Sequence, residues 1–149
     1  MRRVIVIGLL VILAGFLGTR AGLVLVQAPP LTPTILTIGN TKILVEIADT
    51  EATRTRGLSG RPSLAENTGL LFIFDHADYY NFWMKEMNFP IDIIWFDDNW
   101  RVIDVTINAL PQDFPATYQP RAPARYVLEV NAGFSSAHQI TIGAQAILH

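Results

Sequence analysis

Two apolar patterns divide the 149-residue chain. From Val4 to Gly18 the residues are uncharged and apolar; Thr19 and Arg20 interrupt the run, and Ala21 to Ala28 resume it. No polar stripe recurs at helical spacing, so the run does not fit an amphipathic helix of a soluble domain. From Ile35 onward the apolar stretches are short and separated by turn residues, which is the pattern of strands. Ile35 to Ile38 and Thr41 to Ile47 flank Gly39-Asn40, a two-residue hairpin signal. In the second run Ile43, Val45 and Ile47 face one way, and Lys42, Leu44 and Glu46 the other.

The remaining elements follow in order. Asp49 or Thr50 caps a short helix from Glu51 to Leu58. Arg61 to Gly69 reads as a loop with one helical turn from Ser63. Leu70 to Phe74 is a continuous apolar strand, buried on both faces, and Asp75-His76-Ala77-Asp78 is a polar turn. Pro90 separates two strand-like pieces, Phe82 to Met84 and Ile91 to Phe96. Asp97-Asp98-Asn99 turns the chain into a returning strand, Trp100 to Ile107. Pro111, Pro115, Pro120 and Pro123 mark a long exposed loop. Arg125 to Val130 is a further strand, Ala132 to Ala137 a helical turn, and Ile140 to Leu148 closes the sheet around Gly143. The expected fold is mainly β: an antiparallel sandwich or barrel-like single domain with one or two short helices.

The basic start Met1-Arg2-Arg3 before the apolar run makes residues 1–28 a signal peptide or an N-terminal membrane anchor. Val4 to Gly18 as a helix spans roughly 22 Å, short of the roughly 30 Å hydrocarbon core; extension to Ala28 reaches roughly 37 Å but includes Arg20. Thr19-Arg20-Ala21 is a tolerable cleavage site. Cleavage and retention both leave Arg2 and Arg3 in the cytoplasm and export the rest. Residues 29–34, with Pro29, Pro30 and Pro33, form a stiff tether, and 35–149 form the domain. The expected location is extracytoplasmic, with a membrane contact through the N-terminal helix.

Charge and composition narrow the function classes. Beyond the leader the chain carries eight basic and thirteen acidic residues, a net charge of about −5 without a basic cluster. Nucleic acid is therefore not an expected partner. Cysteine is absent, which removes disulfides, thiolate metal sites, a thiol nucleophile and a lipid-modified cysteine. His76, His138 and His149 are scattered, and Asp97-Asp98-Asn99 lacks the series of a calcium loop, so neither metal nor cofactor is expected. Gly57-Leu58-Ser59-Gly60 is not a nucleophile elbow.

Two charges stand out in the aromatic stretch from Phe82 to Phe96, because an unpaired ion removed from water costs several kcal/mol. Lys85 and Asp92 thus need partners. Arg56 or Lys85 would pair with Asp92, or these groups would contact a ligand; Glu129, between Leu128 and Val130, poses the same alternative. With Trp83 from the aromatic cluster, Arg56, Trp83, Lys85, Asp92 and Glu129 form the candidate ligand-binding set, provided the fold brings them together. Phe82, Trp95 and Phe96 are expected in the core; Tyr79, Tyr80 and Trp100 lie at turns.

Four ordered blocks carry a family resemblance: Arg56-Gly57-Leu58-Ser59-Gly60-Arg61, Gly69 to Phe74, Phe82 to Lys85 with Pro90 to Ile94, and Val127 to Gly133. From about Ile43 to Ile147 the chain resembles the DUF192 family, small and mostly exported prokaryotic proteins of uncharacterised function. The resemblance implies a β-sandwich-like domain with small helices. Leu70 stands where the family often has methionine, Glu86-Met87 where Asn-Thr is usual, and Ala144 where an acidic residue is expected. The resemblance brings no activity with it. The expected function is a non-enzymatic binding or accessory module of the cell envelope, with a small-molecule, glycan or envelope-protein partner. The alternative is a hydrolase-type enzyme with Asp92 and Glu129 as acid and base, and Arg56 or Lys85 stabilising an anionic group.

Overall fold

The computed structural model describes residues 34–149, so the expected leader and all of the tether but Thr34 lie outside the described residues. Seven strands form one sheet: β1 (Thr34–Ile38), β2 (Thr41–Ala48), β3 (Thr68–Asp78), β5 (Ile91–Phe96), β6 (Val102–Ala109), β8 (Ala124–Asn131) and β9 (Ala146–Leu148). They lie in the order β6-β5-β8-β3-β2-β1-β9. The short strands β4 (Phe82–Trp83) and β7 (Thr117–Tyr118) pair separately. Helix α1 (Glu51–Arg56) connects β2 to β3, and α2 (Phe134–Ala137) follows β8. The mainly β reading holds, in the form of a curled half-barrel sheet with two short helices.

The hairpin at Gly39-Asn40 forms as the sequence predicts, with Ile38 opposite Thr41. The pairing of β2 with β3 is parallel, unlike every other strand pair in the sheet. Parallel neighbours need a crossover, and α1 with the loop after it supplies one. Thr50 caps α1: its hydroxyl accepts from the Thr53 N–H at 3.2 Å, while the Thr50 N–H donates to Thr53 Oγ1 at 3.0 Å. The helix ends at Gly57, whose φ of 51° lies in the left-handed region that glycine tolerates.

The sheet buries both faces. Leu36, Ile43, Leu71, Ile94, Phe96, Leu128 and Val130 form the inner cluster. Leu70, Phe72, Ile93, Trp95 and Val127 form the outer one, covered by Leu58, Phe82 and Met84. Every residue of β5 is buried, because alternate side chains enter different cores. At one end the sheet's edges meet. Arg101 bridges Gln145, the Val102 N–H donates to the Ala144 carbonyl at 2.9 Å, and the Ala146 N–H to the Trp100 carbonyl at 2.8 Å. Gly69 marks a close approach: a Cβ there would stand 2.8 Å from Leu128 Cδ1 and 2.9 Å from the Glu129 carbonyl.

Three local expectations are corrected. Asp75 to Asp78 continue β3 rather than turning; the strand loses register after Ile73 and regains it at Asp78, opposite Ala124. No helical turn starts at Ser63. The proline-marked segment is not wholly exposed, since β7 pairs with β4, Tyr118 packs on the outer cluster and Pro120 is buried.

Asp92 is fully buried on the inner face, opposite Val130. Its Oδ1 accepts from the N–H groups of Asn108 at 2.9 Å and Gly133 at 3.2 Å, and its Oδ2 from Ser135 at 2.9 Å. The expected pair with Arg56 or Lys85 does not form; three backbone donors take the place of a cation. Asp92 is thus a tie between β6, α2 and the sheet. Asp92→Ala leaves those three donors without their acceptor and lowers the unfolding free energy by about 3 kcal/mol. Urea denaturation measures the loss, and amide exchange at Ser135 should accelerate.

Candidate functional site

Glu129 lies on β8 with Leu70 of β3 and Ile93 of β5 beside it, on the outer face of the sheet. Its carboxyl group forms the base of a cleft of about 260 Å³ between α1, β3 and β4. Phe72, Phe74, Tyr80, Phe82 and Trp83 supply aromatic walls; Glu51, Arg54, Thr55 and Arg56 belong to α1, and Gly57 to the turn after it. Gly57 lies beside the carboxyl: a Cβ there would stand 3.9 Å from Glu129 Oε2.

Glu129 is only 5% exposed, and its Oε2 is buried without a hydrogen-bond partner. Burial pushes the carboxyl up to about 8, with the Arg61 charge opposing. Arg61 is engaged elsewhere. Its Nη1 and Nη2 donate to the two carboxylate oxygens of Glu46 at 2.6 and 2.8 Å, which lowers Glu46 and raises Arg61. Arg54 is also tied down: Nη1 donates to the Asp49 carbonyl at 2.6 Å and the Ile73 carbonyl at 2.9 Å. Its guanidinium carbon stands 5.2 Å from the centre of the Phe74 ring, and Phe74 stacks on Tyr80 at 3.6 Å.

Of the candidate set, Arg56, Trp83 and Glu129 line this cleft. Trp83 is 46% exposed on its wall, and Arg56 is exposed. Lys85 does not line it; it is exposed on the following turn, where its carbonyl accepts from Ser59 Oγ at 2.8 Å. Asp92 is on the other face of the sheet. The acid–base pairing of Asp92 with Glu129 is therefore not available, because β-strand alternation sends the two side chains to opposite sides. Glu51, Arg54 and Thr55 were not singled out by sequence. Their i, i+3, i+4 spacing, continuing to Leu58, places them on one helix face and was the signal for them. A second hollow, of about 620 Å³, lies beside β2. Its charged groups, Glu46 and Arg61, already pair with each other.

Among the described residues, no group of three or more His, Cys, Asp or Glu side chains could hold a metal ion. No described helix is long and apolar enough to cross a membrane.

A family model described as DUF192, uncharacterized ACR, matches residues 34–148, nearly all of the described chain. The chain belongs to the DUF192 family. Two solved structures share the fold of this DUF192 domain. One is a protein of unknown function from Novosphingobium aromaticivorans DSM 12444, 28% identical, with a TM-score of 0.71 over 81% of this chain and 91% of that one. The other is described as a "putative transcription regulator" from Sinorhizobium meliloti 1021, 27% identical, with a TM-score of 0.72 over 78% and 92%. No curated protein matches the sequence.

The raised Glu129 carboxyl has a consequence for stability. Below about 4.5 the group is neutral both folded and unfolded; above that, the folded chain keeps a proton that the unfolded chain releases. Stability therefore falls as pH rises, by up to about 1.4 kcal/mol per unit, and the fall levels off above about 8. Glu129→Gln removes this loss, so the Tm difference between variant and wild type should shift in the variant's favour from pH 5 to pH 8. A difference that stays constant over that range contradicts the assignment.

Proposed function

We propose that this DUF192 protein is an exported binding module of the cell envelope, without catalysis, that seats a small molecule in the cleft between α1 and β4. Residues 1–28 act as its signal peptide or membrane anchor and 29–34 as its tether. The apolar leader and its basic start support the location. One observation carries the binding reading: Glu129 is a buried carboxyl with an unpartnered oxygen, at the base of an aromatic cleft. A concave, largely apolar site with one convergent polar group is how small-molecule sites are built. An unsatisfied buried polar group costs on the order of 1–3 kcal/mol, a cost that a ligand can relieve. The acidic balance of the domain runs against a nucleic-acid partner, including one suggested by the description of the Sinorhizobium meliloti protein.

The hydrolase alternative keeps one support. With its carboxyl raised to about 8, Glu129 is protonated at neutral pH and has the form of a general acid. With Asp92 on the other face, Glu51 on exposed α1 is the second carboxyl along the cleft.

Incubating the purified full-length protein with a panel of cell-wall glycans and metabolites separates the two. Recovery of a bound compound unchanged is the expected outcome; its conversion to product sinks the binding module in favour of the enzyme. Trp83→Ala, at an exposed position, should weaken the retained compound about tenfold, the loss of one aromatic contact.

A further inference from the structure

The groups along the cleft are unequally committed. Arg54 Nη1 donates to the Asp49 and Ile73 carbonyls, and both terminal nitrogens of Arg61 are on Glu46. What remains open at the base is the Glu129 carboxyl, whose Oε2 has no hydrogen-bond partner. Aromatic rings line the cleft with it, and ring faces attract cations. The cleft already shows this use of its walls, with the Arg54 guanidinium over Phe74. The domain's net charge of about −5 favours a positive visitor as well.

From these observations, and resting on the binding reading above, we infer that the cleft takes a ligand with a positively charged group, a primary ammonium or guanidinium, seated against the Glu129 carboxyl. The cation gives the buried carboxyl the partner it lacks, and the bond becomes a charge-assisted one. Aromatic contact with Phe72, Phe82 and Trp83 adds to it. An anionic ligand would meet the exposed Arg56 at the cleft, but at its base it would need the protonated Glu129 carboxyl as a donor, and its affinity would fall rather than rise toward pH 8.

Seating a cation ionises Glu129, so its proton leaves on binding. Affinity must then rise about tenfold per pH unit below about 8 and level off above it, while a ligand ammonium stays charged to about 10.4. Arg61, from the loop after α1, is the charge that acts on Glu129, and Glu51, Arg54 and Arg56 of α1 line the same cleft. Its neighbours on β3 and β5, Leu70 and Ile93, are apolar, and Tyr80 stays neutral in this range because burial raises it.

The test uses the full-length protein in mild detergent with three probes of similar shape: phenethylammonium, 2-phenylethanol and phenylacetate. Binding at millimolar concentration is followed through the Trp83 indole signal and the Glu129 side-chain carboxyl carbon by NMR, from pH 6 to pH 9. Phenethylammonium should bind preferentially, with affinity rising about tenfold per unit up to about pH 8, and the Glu129 carbon should shift to its ionised position on binding. Glu129→Gln should lose the pH dependence and at least tenfold in affinity. Trp83→Ala should weaken binding yet keep the pH slope by the Glu129 signal, which holds the inference to account should the glutamine variant fail to fold. Preferential binding of 2-phenylethanol or phenylacetate overturns the cationic ligand and leaves the binding module standing. Absence of binding by all three probes overturns both.

Discussion

Strands that are apolar on both faces must be covered twice, and the rest of this domain answers that constraint. β3, β5 and β8 lie side by side in the middle of the sheet, and their side chains enter two separate cores. Curling of the sheet, until the segments around Trp100 and Gln145 meet, covers the inner face. The outer face is too broad for one short helix. Leu58 after α1, the β4–β7 pair and Met84 share the task, and the gap they leave becomes the cleft. The candidate site is thus where the second cover is incomplete.

A carboxyl group is buried on each face, and their treatment differs. Asp92 receives three backbone N–H groups and joins distant segments; such charge-assisted bonds stabilise a buried carboxylate without a counter-ion. Glu129 is equally enclosed and receives nothing at Oε2. A buried residue that serves folding is normally satisfied. One left unsatisfied at the base of a cleft weakens the fold, and the binding role proposed above would offset that cost.

Two of the cations near Glu129 are committed to other partners. Arg61 forms a two-pronged pair with Glu46, an arrangement suited to the planar guanidinium. Exposed pairs of this kind add little stability, but this one holds the Arg61 side chain to β2. Arg54 is held by carbonyl groups, and Lys85 by its exposed place on a turn. Arg56 also lines the cleft, yet no donor reaches Glu129 Oε2.

Local sequence determined most of the strands, the hairpin at Gly39-Asn40, the helix capped at Thr50 and the double burial of Leu70 to Phe74, because these depend on neighbours in the chain; the extension of β3 to Asp78 and the strand β7 escaped it. The blocks from Arg56 to Gly133 also determined the family. Alternation along Ile91-Asp92-Ile93 also turns Asp92 away from its two neighbours. Only the tertiary structure decided which sheet face that direction meant, because strand order is set by long-range pairing that no local spacing encodes. It put Glu129 and Asp92, both charges in apolar strands, on opposite sides. It also joined Arg56, Trp83 and Glu129 across the gap between two elements far apart in the chain. Lys85, so conspicuous among aromatics, ended on the surface, since a turn frees its side chain from the pattern around it. The sequence marked which charges were costly to bury; packing decided which of them remained without a partner.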